Sequence, residues 1–203
     1  MTTPDWTARE ADFRRQVAAA LEAIAAGEIY QVNLSVAVRV QVAGWADADL
    51  AGCLAAVQAV QPVPLAMAWR GEGGTLLSGS MERFLRIVEG GVSCRPIKGT
   101  APAGDTGRLS TDTKEIAENT MIVDMVRHDL RRICRSGSVS VPQLCQPEPY
   151  ATLWHLESEV VGDLVEPRAL SAHLAATLPP ASVAGCPKRQ ALRVIARLEQ
   201  RWR

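Results

Sequence analysis

Residues 112–134, DTKEIAENTMIVDMVRHDLRRIC, decide how this chain is read. Strong helix formers fill the stretch, no Gly or Pro interrupts it, and Gly137 stands just beyond as a stop, so one long helix is predicted from Asp112 to Cys134. Ile116, Ala117, Met121, Ile122, Val123, Met125 and Val126 leave little of its early circumference polar, which predicts a helix covered on most sides. Glu115 and Glu118 nevertheless stand in its first turns, three apart on one face. Paired carboxylates on a covered helix repel each other and lose hydration, so they need a cation, a proton or hydrogen bonds, and such oxygen ligands suit Mg²⁺. Glu115 also has a structural reading, because Asp112-Thr113-Lys114-Glu115 fits a capping box. Glu118 lies past the first turn, where a cap cannot use it.

The surrounding chain is of ordinary globular composition: 203 residues, 47% hydrophobic and 22% charged, which points to one domain with a substantial core. Lys+Arg 22 against Asp+Glu 22 leaves no net charge to attract nucleic acid or an acidic membrane, so an anionic substrate must be held by local groups. Cys53, Cys94, Cys134, Cys145 and Cys186 are odd in number and lack paired zinc spacing, which favours reduced thiols in the cytoplasm. No leader opens the chain and no apolar run approaches the ~20 residues of a membrane span.

Before the long helix, Phe13, Val17, Leu21 and Ile24 recur at helical spacing from about Trp6 to Ala26, and Gly27 closes that helix. Val32, Leu34, Val36, Val38, Val40 and Val42 then alternate with Gln31, Asn33, Ser35 and their successors, which predicts a long strand whose polar face starts with that trio, on its own simply a solvated face. A second helix is expected over 46–60. Strands follow over 65–69, 75–80, 83–88 and 92–97, the last two joined by the hairpin Glu89-Gly90-Gly91. Glu82 sits at a junction between strands, where a lone Glu is usually just exposed. Lys98 ends a strand, where it either snorkels to solvent or, with a neutral amine, acts as a nucleophile. Beyond the long helix, strands are predicted over 139–141 and 151–165. The second carries His155, by default a packing residue, and a loop over 179–187 enters a last helix, 188–203.

PIKGT (96–100), the AEN, MIVD, R, DL, R, C and GSV run, HLES (155–158) and LPPASVAGCPK (178–188) resemble, in order, the chorismate-binding enzymes. That family includes component I of anthranilate synthase and of aminodeoxychorismate synthase, and the likeness is closest to the latter. The resemblance implies an α+β fold, a two-sheet antiparallel β sandwich with outer helices. It implies amination of chorismate at C4, with ammonia from a glutamine amidotransferase component and with Mg²⁺ held by Glu118 and Glu115. Glu82 matches the family's general acid and Lys98 a nucleophile at C2 of the ring, where anthranilate enzymes carry Ala. Gly99, Thr100, His155, Ser182 and Gly185 match substrate-binding positions. Gln31 stands where water-adding members carry Lys, and it cannot act as a general base.

Departures accompany the likeness. Met81 replaces the family's Pro before Glu82, Ala101 and Ala103 replace two arginines, and Ala181, Ala184 and Cys186 differ in the late loop. The chain stops at Arg203, before the family's Tyr and Gly motifs and second Glu pair, so residues 1–203 are expected to form one truncated catalytic domain with little turnover alone. The open alternatives are an anthranilate-synthase-like enzyme and a non-catalytic remnant.

Overall fold

The computed structural model describes residues 6–38, 49–103 and 105–201. They fall into two compact units, residues 1–45 with 179–203 and residues 46–178. The architecture is helix mixed with antiparallel sheet, as expected.

The smaller unit holds α1 (Trp6–Ala25), β1 (Gln31–Val32), α6 (Ala181–Ala184), β9 (Gly185–Cys186) and α7 (Lys188–Glu199). Gly27, at φ 74, closes α1 as its position predicts. Ala20 and Ala23 are the buried positions of α1, while Leu21 is 60% exposed, so the packed stripe is narrower than the large apolar residues suggest. The long strand predicted from Gln31 is not formed over 33–38; its residues 39–42 lie outside the described residues. Among the described residues β1 pairs only with β9, and past it other partners claim the backbone: Asn33 N–H bonds to the Ala184 carbonyl and Ser35 N–H to the Glu199 carboxylate at 2.7 Å. Alternating valines favour a strand only where a ladder is available to pair with.

The larger unit contains α2 (Leu50–Val60), β2 (Leu65–Gly71), β3 (Gly74–Ser80), β4 (Arg83–Val88), β5 (Gly91–Arg95), β6 (Ile97–Pro102), α3 (Thr106–Thr111), α4 (Thr113–Leu130), β7 (Ser140–Pro149), β8 (Leu153–Asp163) and α5 (Leu170–Thr177). Residues 46–48 of the predicted second helix lie outside the described residues. β2 and β3 form a hairpin of their own. In the five-stranded sheet β8 is central. β5 and β6 lie end to end along one side of it, in one register that continues through Pro96, while β7 runs along the other and β4 pairs β5. Glu89 (φ 50) and Gly90 (φ 84) make the β4–β5 hairpin, with both central residues left-handed as a two-residue turn of this hand requires. β7 is longer than the predicted 139–141. Its Pro142, Pro147 and Pro149 argue against a strand, but β7 pairs β8 alone, and an edge strand tolerates residues that cannot donate.

The helix read first is α4, and it ends at Leu130 rather than Cys134. Beyond Leu130 the turn tightens, with Arg132 N–H on Asp129 O and Ile133 N–H on Leu130 O, and Cys134 bridges to Leu164. Gly137 (φ 80) therefore serves a turn after the helix and does not cap it. The helix is not covered on most sides either: Thr113, Lys114, Ala117, Thr120, Asp124 and His128 are exposed along one face. The opposite face packs on the sheet, where Val123 and Leu130 join Val92, Cys94 and Val160 in the main cluster. Asn119, 0% exposed, fixes the docking. Its Nδ2 donates to the Leu156 carbonyl at 2.9 Å, its Oδ1 accepts from Ser158 Oγ, and that same hydroxyl oxygen accepts from Cys145 N–H of β7 at 2.8 Å. Asn119→Leu keeps the branched shape but strands buried partners, and should lower stability by about 2–4 kcal/mol, read from the urea midpoint.

Candidate active site

The residues of interest in the larger unit gather around Gly99. In an unbroken strand Lys98 and Thr100, two apart, would share a face. Here Lys98 stands opposite Leu156 and Thr100 opposite His155, so β6 advances two residues while β8 advances one. Gly99, at φ +82, is the extra residue of this bulge, a conformation open chiefly to glycine. Lys98 therefore lies with Leu156 on the side of the sheet that packs α4, and Thr100 lies with His155 on the other. A Cβ on Gly99 would sit 3.3 Å from both Cβ and Oε2 of Glu115 and 3.2 Å from Leu109 Cδ2. The Gly99 carbonyl lies 3.2 Å from His155 Nδ1. β6 pairs only with β8, so among the described strands its outer edge is open at Gly99, and a ligand there can touch both faces.

Glu115 and Glu118 rise from the first turns of α4. Asp112 caps the helix by accepting from Lys114 and Glu115 N–H, at 3.0 and 3.2 Å. The other half of the box is taken, because Asp112 N–H bonds to Arg108 O, and the Glu115 carboxylate faces Gly99. Lys114 Nζ lies 3.4 Å from Glu118 Oε1 and 4.0 Å from Glu115 Oε1, so this face already gathers a cation. Among the described residues no group of three or more His, Cys, Asp or Glu converges as a metal site. Two carboxylates suit Mg²⁺, which commonly takes one or two and completes its shell with water, so the pair fits that ion as a partial donor set.

His155 is enclosed. Thr100 Oγ1 lies 3.1 Å from Nδ1, Met81 Sδ lies 3.1 Å from Nε2, and the Tyr150 ring meets the imidazole edge-on at 5.1 Å. Glu82 follows Met81 in the short link between β3 and β4, where Ser80 Oγ donates to its carbonyl at 3.3 Å.

Next to His155 runs a charge network that reading by motif misses. Arg83 pairs with Glu159 at 2.6 Å, Arg95 pairs with Glu157 at 2.9 Å and Glu159 at 3.3 Å, and Tyr150 OH donates to Glu157 Oε2 at 3.4 Å. Its signal in the sequence is His155, Glu157 and Glu159 at a spacing of two within one strand, which sets three polar groups on one face. Burial pushes the Glu157 carboxyl above the ordinary glutamate range against the pull of Arg95, and pushes Tyr150 up to about 12. Burial acts on Glu159 too, but the hydrogen bonds and charges of Arg95 and Arg83 outweigh it and hold that carboxylate low.

In the smaller unit, Gln31 stands opposite Cys186, and its amide Oε1 is buried without a partner. Gly185 (φ 132) backs against β1, where a Cβ would collide with the Gln31 carbonyl and approach Val32 Cα to 2.8 Å, so only glycine fits. The Ser182 carbonyl accepts from Asn33 Nδ2 at 2.9 Å. The N–H groups of Val183 and Ala184 both bond to the Pro180 carbonyl, which leaves fewer donors for a carboxylate than the loop sequence suggests.

Residues 3–203 match the family described as chorismate binding enzyme. An aminodeoxychorismate synthase of Streptomyces pristinaespiralis is 38% identical over 93% of this chain and 27% of its own length. An anthranilate synthase component 1 of Haloarcula marismortui is 32% identical over 93% of this chain and 36% of its own. The crystal structure of anthranilate synthase component I from Streptococcus pneumoniae superposes with a TM-score of 0.74 at 28% identity, covering 93% of this chain and 42% of that one. The chain thus spans well under half the length of these relatives.

Gly99→Ala should cost about 1–3 kcal/mol from the left-handed φ and the crowded Cβ, checked by urea denaturation. The two network carboxylates should show opposite pH signatures. Glu159, held low, contributes stability present above the ordinary carboxylate value and lost as pH falls through its depressed one. Glu157, held high, contributes stability present below the ordinary value and lost as pH rises through its raised one. Urea midpoints between about pH 3 and 7 should fall less steeply toward acid in Glu159→Gln and gain at the upper end relative to the lower in Glu157→Gln.

Proposed function

We propose, from the premise that this chain belongs to the family of chorismate binding enzymes, that it carries the amination chemistry of an aminodeoxychorismate synthase component I. The observation that carries this reading is Lys98. It is held in β6 beside the Gly99 bulge, on the side of the sheet that packs α4, the helix bearing Glu115 and Glu118. The Streptomyces relative supports the same branch.

In this reading the Lys98 amine adds to C2 of the chorismate ring as the C4 hydroxyl departs, with the proton for that hydroxyl coming from the Glu82 carboxyl, so water leaves. Ammonia then bonds to C4, the bond from Lys98 to C2 breaks, and the amine is free again. Thr100 and His155 orient the ring at the open edge of β6 from the opposite face. Gln31, whose amide oxygen is buried without a partner, Ser182 and Gly185 of the smaller unit match substrate-binding positions of the family. Glu115 and Glu118 would hold Mg²⁺, which supplies charge neutralisation at the ring carboxylate. A glutamine amidotransferase component would supply the ammonia, and the five free cysteines suit a reducing cytoplasm.

The test is product analysis of residues 1–203 extended with a relative's C-terminal segment, in the presence of chorismate, an ammonium salt and Mg²⁺. Aminodeoxychorismate is expected as the product. Mass spectrometry should detect an adduct of chorismate less one water on Lys98, absent in Lys98→Ala, and Glu82→Gln should lose about 10²- to 10⁴-fold in rate. Isochorismate or anthranilate as the main product would overturn the assignment.

A further inference from the structure

Three of the four contacts that enclose His155 belong to the sheet around it. On β6 the Gly99 carbonyl stands beside Nδ1 and the Thr100 hydroxyl donates to it, which leaves the ring proton on Nε2, and Tyr150, pinned through its hydroxyl by Glu157, stands against the ring. The fourth is of another kind. Met81 belongs to the two-residue link between β3 and β4, is only partly buried, and takes no part in the apolar clusters around Val92, Ala23 or Ala101. Its Sδ lies 3.1 Å from Nε2. A thioether is a weak acceptor on a side chain with three rotatable bonds, whereas a carboxylate oxygen makes a shorter and stronger bond to an N–H. Of the four contacts, this one is most readily exchanged for a ligand atom.

We propose that Met81 is a displaceable cap on His155: a carboxylate oxygen of the ligand takes the place of Met81 Sδ at Nε2, so residue 81 sets which ligands His155 admits. The proposal rests on the reading of His155 as a contact for chorismate, which carries two carboxylates. An apolar ligand offers nothing to exchange for the sulfur and leaves the cap closed. Glu82 is the next residue of the same link, so withdrawal of Met81 also re-aims the carboxyl proposed as the acid. Ligand arrival at His155 and the setting of Glu82 become one movement.

The test follows the protein by NMR, with ¹³C in the methionine methyls and ¹⁵N in the histidine rings, during titration with chorismate. The Met81 methyl, assigned by its loss in Met81→Leu, and the Nε2 signal of His155 should shift together with the bound fraction. Met81→Leu keeps the volume and removes the acceptor, and should bind chorismate about two- to fivefold more tightly, the worth of one weak hydrogen bond no longer broken. Met81→Ala should gain at least as much, and Met81→Leu carries the test if the smaller residue compromises folding. Chorismate binding that moves other resonances but leaves Met81 and His155 unchanged, or weaker binding by both variants, overturns the cap while leaving the functional reading intact. Failure of the wild type and both variants to bind chorismate removes the two together.

Discussion

The amide of Asn119 decides where the helix lies on the sheet, and much of the rest follows from that placement. Its two polar ends are matched to the Leu156 carbonyl and the Ser158 hydroxyl in a fully buried setting, and through Ser158 the bond extends to β7. A buried amide has few ways to be satisfied, so α4 can neither slide nor rotate without leaving donors and acceptors unpaired. Apolar packing alone would not be so strict, because methyl groups accept many registers. Leu156 lies opposite Lys98, and Glu115 precedes Asn119 by about one helical turn, so the same bond that fastens α4 sets a carboxylate against Gly99.

On the far side of the sheet the organisation is ionic. Two arginines and two glutamates share a partly buried face, and removing such charges from water costs about as much as their pairing returns. The net gain in stability from such pairing is small, so the value of the network lies in orientation. It ties Arg83, the residue after Glu82, to Glu159, Glu159 through Arg95 to Glu157, and Glu157 through Tyr150 to the ring of His155. The candidate acid and the candidate binding histidine are thus connected by side chains that hold one another in fixed geometry.

Much of this could be read from the residues, and the failures have physical causes. The main helix, its Asp112 cap and the Glu89-Gly90 hairpin follow from local chemistry and appear where that chemistry puts them. Lys98, Gly99, Thr100, Glu115 and His155, picked out by motif, are gathered in one place. What escaped notice depends on partners remote in sequence. The run after Gln31 has a strand's pattern but, among the described residues, no ladder beyond β9, while β7 has a ladder despite three prolines. Arg83 and Arg95 acquire meaning only when Glu157 and Glu159 are set beside them. The opposed faces of Lys98 and Thr100 are invisible to strict alternation, since one left-handed residue reverses the parity.

That reversal bears on how such a chain can change over time. Most connections in a domain absorb the gain or loss of a residue, because a loop simply lengthens or shortens. Between Lys98 and Thr100 the count itself is structural information: three residues of β6 face two of β8, and the surplus one is Gly99. Deleting it would leave Lys98 and Thr100 on their present faces but take away the carbonyl that meets His155 and the bare Cα beside Glu115. Lineages of this fold are therefore free to exchange side chains around the bulge but not to alter the spacing across it, so descent should leave a short, ungapped signature there even where identity elsewhere has faded.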